Sequence, residues 1–109
     1  MAQLRHDHSR FKALNAEVLV VVPNGPKMIA RHVSDNGTPY PILSDKGAAV
    51  AKLYQIDARR TLLPSVTVFT PTVLLVDRSG SIRYTNYTTS YIKEPDNNEP
   101  LAELARMVA

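Results

Sequence analysis

The stretch from Phe69 to Tyr84 constrains this chain more than any other. Val73, Leu74, Leu75 and Val76 run without a polar interruption, which predicts a strand buried on both faces. Asp77-Arg-Ser-Gly80 follows with turn chemistry, Gly80 being free to take positive φ. Ile82 and Tyr84 then alternate with polar neighbours, as in a second strand nearer a sheet edge. Pro71 stands just before the first strand, where a missing N–H costs least. The segment reads as a central strand, a tight hairpin and a returning strand.

The remaining chain supplies the elements around that hairpin. Gln3 to Leu14 has Leu4, His8, Phe11 and Leu14 on one stripe, predicting a helix with Arg5, Asp7, Ser9, Arg10 and Lys12 on its other faces. Asn15 terminates it. Glu17 to Val22 is a strand, its last five residues apolar and mostly β-branched. Pro26 suits a first helical turn, and the helix it opens runs to about Asp35, burying Met28, Ile29, His32 and Val33, with Gly37 beyond its end. Pro39 and Pro41 flank Tyr40, so Tyr40 to Leu43 is expected as a short edge strand. Asp45 caps a helix from Lys46 to Tyr54 that buries Val50, Leu53 and Tyr54. Arg59-Arg60-Thr61 reads as polar loop, and Val66-Thr67-Val68 as a short strand. Leu62, Leu63 and Phe69 are apolar in a segment that must pack on the body or meet a partner. Asn97 or Asn98 caps a last helix with Leu101, Leu104, Ala105 and Val108 on one face. Strand, turn and helix in this order imply an α/β layer architecture.

Several kinds of chemistry are excluded. Among 109 residues there is no cysteine, which removes disulfides, thiolate metal sites and thiol catalysis. His6 and His8 lie two apart on a helix and point to different faces, so no metal site is expected. His32 reads as a packed histidine, and Asp45 and Asp77 as cap and turn residues without a second carboxylate at acid–base spacing. Ser44 and Ser65 lack nucleophile-elbow glycines, and Gly25 is too isolated for a phosphate loop. No catalytic residue, metal or cofactor is therefore predicted. With 44% apolar and 21% charged residues the composition is globular, and the length corresponds to one domain over residues 1–109. A net charge of +3 is spread among acids, so no nucleic-acid partner is expected. No apolar run is long enough for a membrane span, and the N-terminus has no secretory h-region, so a cytoplasmic location is expected.

Thr70-Pro71-Thr72, the apolar strand, Asp77, the Ser79-Gly80 turn and Ile82-Arg83-Tyr84 together resemble the second half of a thioredoxin-fold redoxin. More narrowly, the chain is similar to the alkyl hydroperoxide reductase/thiol-specific antioxidant group, the peroxiredoxin-like proteins. Ala16-Glu-Val-Leu-Val-Val-Val-Pro23 and Tyr40-Pro-Ile-Leu-Ser-Asp45 resemble the group's second core strand and its Pro-Leu-Ser-Asp segment. The resemblance implies a thioredoxin-like three-layer sandwich, a mixed sheet flanked by helices. It also implies that the family's first strand and cysteine-bearing helix start would precede Leu4, making this domain incomplete at its N-terminus.

Members of the group reduce peroxides or disulfides with a thiolate held near that helix start. The resemblance places Phe69, Thr70, Pro71 and Thr72 as the vestige of the active-site loop beside the thiolate. An arginine commonly stands where this chain has Pro71. Redox inactivity is the expectation, with no redox partner identifiable. The alternative is a non-catalytic thioredoxin-like binding or self-assembly module. A cryptic enzyme with an unrelated site finds no supporting constellation. The absent strand would leave unpaired N–H and C=O groups along Glu17–Val22 and Thr72–Asp77, each costing roughly 1–3 kcal/mol if buried. A homodimer sharing a sheet strand, with Leu62, Leu63 and Phe69 near the interface, is therefore expected.

Overall fold

A computed structural model describes residues 2–56, 58–60, 67–87 and 97–108. The chain is mixed α/β and divides into two compact units. Residues 1–17 and 71–109 form one unit, and residues 18–70 the other.

The first unit opens with helix α1, Ala2–Ala13. Phe11 is buried as its spacing requires, with Leu4, His8 and Leu14 half-buried. Asp7, expected on the polar side, is instead buried, because position 7 lies one turn before Phe11 on the same face. The helix ends where Asn15 takes φ 61°. The Asn15 N–H then donates to the Lys12 carbonyl at 2.9 Å, and the Ala16 N–H to the Phe11 carbonyl at 3.2 Å. These two bonds satisfy carbonyls that the last turn leaves open, the pattern of a Schellman cap.

The hairpin of this unit pairs β5, Thr72–Val76, antiparallel with β6, Ile82–Tyr87. Its turn closes through Gly80 N–H to the Asp77 carbonyl, 3.0 Å, and Asp77 N–H to the Ser81 carbonyl, 2.9 Å. Gly80 has φ 88°, which a side chain would oppose. The register shifts next to the turn: Leu75 faces Tyr84 but Val76 faces Ile82, leaving Arg83 as an extra residue. Such a bulge changes which face the side chains take. Ile82 is exposed accordingly, whereas Tyr84 and Asn86 are half-buried. Burial of β5 on both faces is not found: Val73, Leu74 and Leu75 are half-buried and Val76 is 52% exposed. The reason is its setting in a sheet of only two strands.

Helix α4, Asn98–Val108, completes the unit and buries Pro100, Leu101 and Leu104. Ala105 and Val108, expected on the same stripe, are exposed because the last turn extends past the buried set.

In the second unit, β1 (Val20–Val22) pairs parallel with β2 (Ile42–Ser44). Both strands start later than their apolar runs suggest. Pro41 has no N–H to give, and its carbonyl receives the Val20 N–H at 3.0 Å, so β2 begins at the next residue. Tyr40, excluded from the strand, is buried instead. Between the strands runs α2, Pro26–Asn36, with Pro26 in its first turn. Gly37 closes it at φ 62°, its N–H donating to the Val33 carbonyl at 2.8 Å. The expected burial of Met28 and Val33 is contradicted. Met28 is 58% exposed and no residue of α2 is buried, with only Ile29 and His32 partly covered.

Helix α3 departs further from the sequence reading. It spans only Ala49–Leu53, because Gly47 (φ 91°) and Ala48 (φ 62°) make a left-handed turn first. The later start turns a different face inward: Ala48 and Ala51 are buried, while Val50 and Tyr54 are exposed and Leu53 is 81% exposed. Asp45 still caps this helix from beyond the left-handed turn. Its two carboxylate oxygens accept the Val50 N–H at 3.0 Å and the Ala51 N–H at 2.8 Å.

A third sheet pairs β3, Ala58–Arg60, antiparallel with β4, Thr67–Phe69. Thr67 and Val68 lie in a strand as their alternation predicts, whereas Arg59 and Arg60, polar letters with no β signal, also pair as part of Ala58–Arg60. Cross-strand pairing overrides that weak propensity. Leu62, Leu63 and Ser65 lie outside the described residues. Among the described residues no helix is long and apolar enough to cross a membrane.

Candidate functional site

The proposed loop falls where the chain passes from one unit to the other. Phe69 ends β4 opposite Ala58, and Thr72 begins β5 opposite Tyr87. Thr70 closes one unit and Pro71 opens the other. All four residues are half-buried. None of them is a nucleophile of the kind that redox chemistry needs.

A partly buried polar cluster in the first unit lies between α1 and α4. The Asn97 side-chain amide donates to Asp7 Oδ2 at 3.0 Å, and both side chains are buried. Arg10 reaches Asp7 Oδ1 at 3.5 Å and Asn98 Oδ1 at 3.3 Å. The Asn97 amide, and then Arg10, hold the Asp7 carboxyl below its ordinary range against the opposing effect of burial. Beside this cluster is a shallow groove of about 450 Å³ lined by Arg10, Ala13, Leu14, Asn98, Leu101 and Ala102. The cluster joins the two helices and satisfies its members. The Asn97 carbonyl meanwhile accepts the Leu101 N–H at 3.0 Å, which starts α4. Asp7 was invisible as a site in the sequence, yet its one-turn spacing from Phe11 was a readable signal.

Asp77 holds the hairpin turn. Its Oδ1 accepts the Ser79 hydroxyl at 2.6 Å, the Ser79 N–H at 2.9 Å and the Ser81 N–H at 3.0 Å; its Oδ2 accepts Arg83 Nε at 2.8 Å. Donation by the Ser79 hydroxyl and the Ser81 N–H lowers the Asp77 pKa to about 2. These four bonds lock the turn.

A pH dependence follows from it. Asp77 binds its proton more tightly unfolded, near the ordinary 3.8, than folded, near 2. The stability it contributes is therefore complete above about pH 4 and lost as pH falls toward 2. Asp7 acts with the same sign. Thermal melts of Asp77→Asn should show a shallower loss of Tm across that window than the parent chain. An unchanged slope would remove Asp77 from the acid response.

His32 Nδ1 lies 3.2 Å from the Asn36 amide nitrogen, and its buried Nε2 has no partner among the described residues. Among the described residues no three His, Cys, Asp or Glu side chains gather where they could hold a metal. His6 is exposed and His8 half-buried on α1.

A mixed α/β chain with parallel and antiparallel pairing, a Pro-led strand and a Ser-Gly hairpin is consistent with part of a redoxin. The family model described as AhpC/TSA family matches residues 1–85, and the chain belongs to that family. It is a member without cysteine. No curated protein matches the chain.

Proposed function

We propose that this chain is a redox-inactive member of the AhpC/TSA family, one thioredoxin-like domain over residues 1–109. The observation that carries the reading is the family match over residues 1–85 in a sequence with no cysteine. The thiolate is the nucleophile in thiol peroxidase chemistry, and no other side chain of this sequence supplies an equivalent. Phe69, Thr70, Pro71 and Thr72 are the vestige of the loop that would face such a thiolate. Pro71 stands where an arginine would support it. The purified chain should neither consume hydrogen peroxide nor accept electrons from a thioredoxin system. Turnover that survives metal chelation would overturn this reading.

A second reading concerns what such a chain does without the thiol: it is a cytoplasmic module that assembles with itself. Its support is the apolar face of the β1–β2 sheet. Val21 and Leu43 are register partners, 42% and 47% exposed, and Leu19, two residues earlier, is 63% exposed. Two-stranded sheets also carry open ladder edges, which favour pairing with another strand. The proposed homodimer pairs at least one sheet strand across its two-fold axis, with Leu62, Leu63 and Phe69 close to the interface. Sedimentation at micromolar concentration should find no folded monomer, and a folded monomer there would defeat the proposal.

A further inference from the structure

The sequence contains two Asn-Gly pairs, Asn24-Gly25 and Asn36-Gly37, and the fold treats them oppositely. Asn-Gly is the dipeptide most open to intramolecular cyclisation, because glycine has no Cβ to hinder the approach of its nitrogen. Both asparagines are exposed, so exposure does not separate them. Hydrogen bonding does. Asn36 is the last residue of α2, and its amide nitrogen is held by the His32 carbonyl at 2.9 Å and lies 3.2 Å from His32 Nδ1. The Gly37 N–H, which would have to attack, donates to the Val33 carbonyl at 2.8 Å. At the other pair the Asn24 side chain and the Gly25 N–H have no partner among the described residues; the bonds there fall on the two carbonyls, Asn24 accepting the Ser44 hydroxyl at 2.7 Å and Gly25 the Ile29 N–H at 3.2 Å.

We propose that Asn24 is a spontaneous deamidation site of this chain and that the capping bonds of α2 protect Asn36. In the first step the Gly25 nitrogen gives its proton to hydroxide and attacks Asn24 Cγ. The Cγ–Nδ2 bond breaks, and the amide nitrogen takes up a proton and leaves as ammonia. The resulting succinimide adds water at either carbonyl and opens to aspartate or isoaspartate. No oxidant or reductant takes part. Either product places a new carboxylate immediately before the first turn of α2, where the helix dipole favours negative charge.

The full chain, aged at mildly alkaline pH, is digested, and the peptides bearing residues 24 and 36 are resolved by mass spectrometry with isoaspartate-specific fragmentation. Products at residue 24 should form at least about fivefold faster than at residue 36, the factor corresponding to one net hydrogen bond of about 1 kcal/mol on the Gly37 amide. In denaturant the two rates should converge, since the protection is structural. Asn24→Gln should suppress the products at residue 24 and leave those at residue 36 unchanged. Equal rates in the folded chain, faster reaction at Asn36, or a ratio that persists in denaturant would each overturn the proposal.

Discussion

Phe11→Ala should destabilise the chain by about 3–5 kcal/mol, the range for removing a buried aromatic ring. Phe11 is 6% exposed and is the large aromatic of α1 that enters the buried set of its unit. Among the described residues that set also holds Leu101, Leu104 and Pro100 from α4, with the Asp7–Asn97 pair alongside. Close-packed neighbours relax only partly into the space a deleted ring leaves behind. Phe11→Leu keeps most of the volume and should cost less than about 1.5 kcal/mol. Urea unfolding followed by far-UV circular dichroism distinguishes the two. Equal, small losses for both variants would show that α1 is not held by its apolar face. Since a domain of this size commonly has about 5–15 kcal/mol in hand, the alanine variant should lie close to the unfolding threshold.

Asp45→Ala is expected to cost about 2–3 kcal/mol, by a different physics. The Asp45 carboxylate is 5% exposed and is the acceptor for the Val50 and Ala51 N–H groups. Deleting it removes a helix cap, typically worth about 1 kcal/mol. It also leaves donors at the start of α3 without a partner, at about 1–3 kcal/mol for a buried one. Asp45→Asn keeps one acceptor oxygen and should recover part of the loss. If alanine and asparagine behave alike and both cost under about 0.5 kcal/mol, water replaces the carboxylate freely and the cap is not structural. The β1–β2 sheet is coupled to the same residue, because the Asp45 N–H donates to the Val22 carbonyl at 2.8 Å.

What the sequence determined by itself were features fixed within a few residues. Asn15 and Gly37 end helices because they accept the left-handed conformation that a cap requires. Pro26 opens α2, and Asp77 with Gly80 makes the hairpin turn, since each acts on its own backbone. Family membership was legible for the same reason, as a string of local motifs in order, and the lack of cysteine removes a thiolate nucleophile without any geometry.

Burial was decided only by the tertiary structure. Val50 and Leu53 looked like a core face, yet Ala48 and Ala51 are the residues covered, because a left-handed turn at Gly47 and Ala48 delays the helix and rotates it. One bulged residue, Arg83, separates Ile82 from the face of Tyr84. Asp7 is a charged letter on a helix, and the amide of Asn97, 90 residues further on, gives its carboxylate a buried hydrogen-bond partner. Periodicity reports which residues could share a face. Whether that face meets anything depends on elements distant in the chain, and no local pattern contains them.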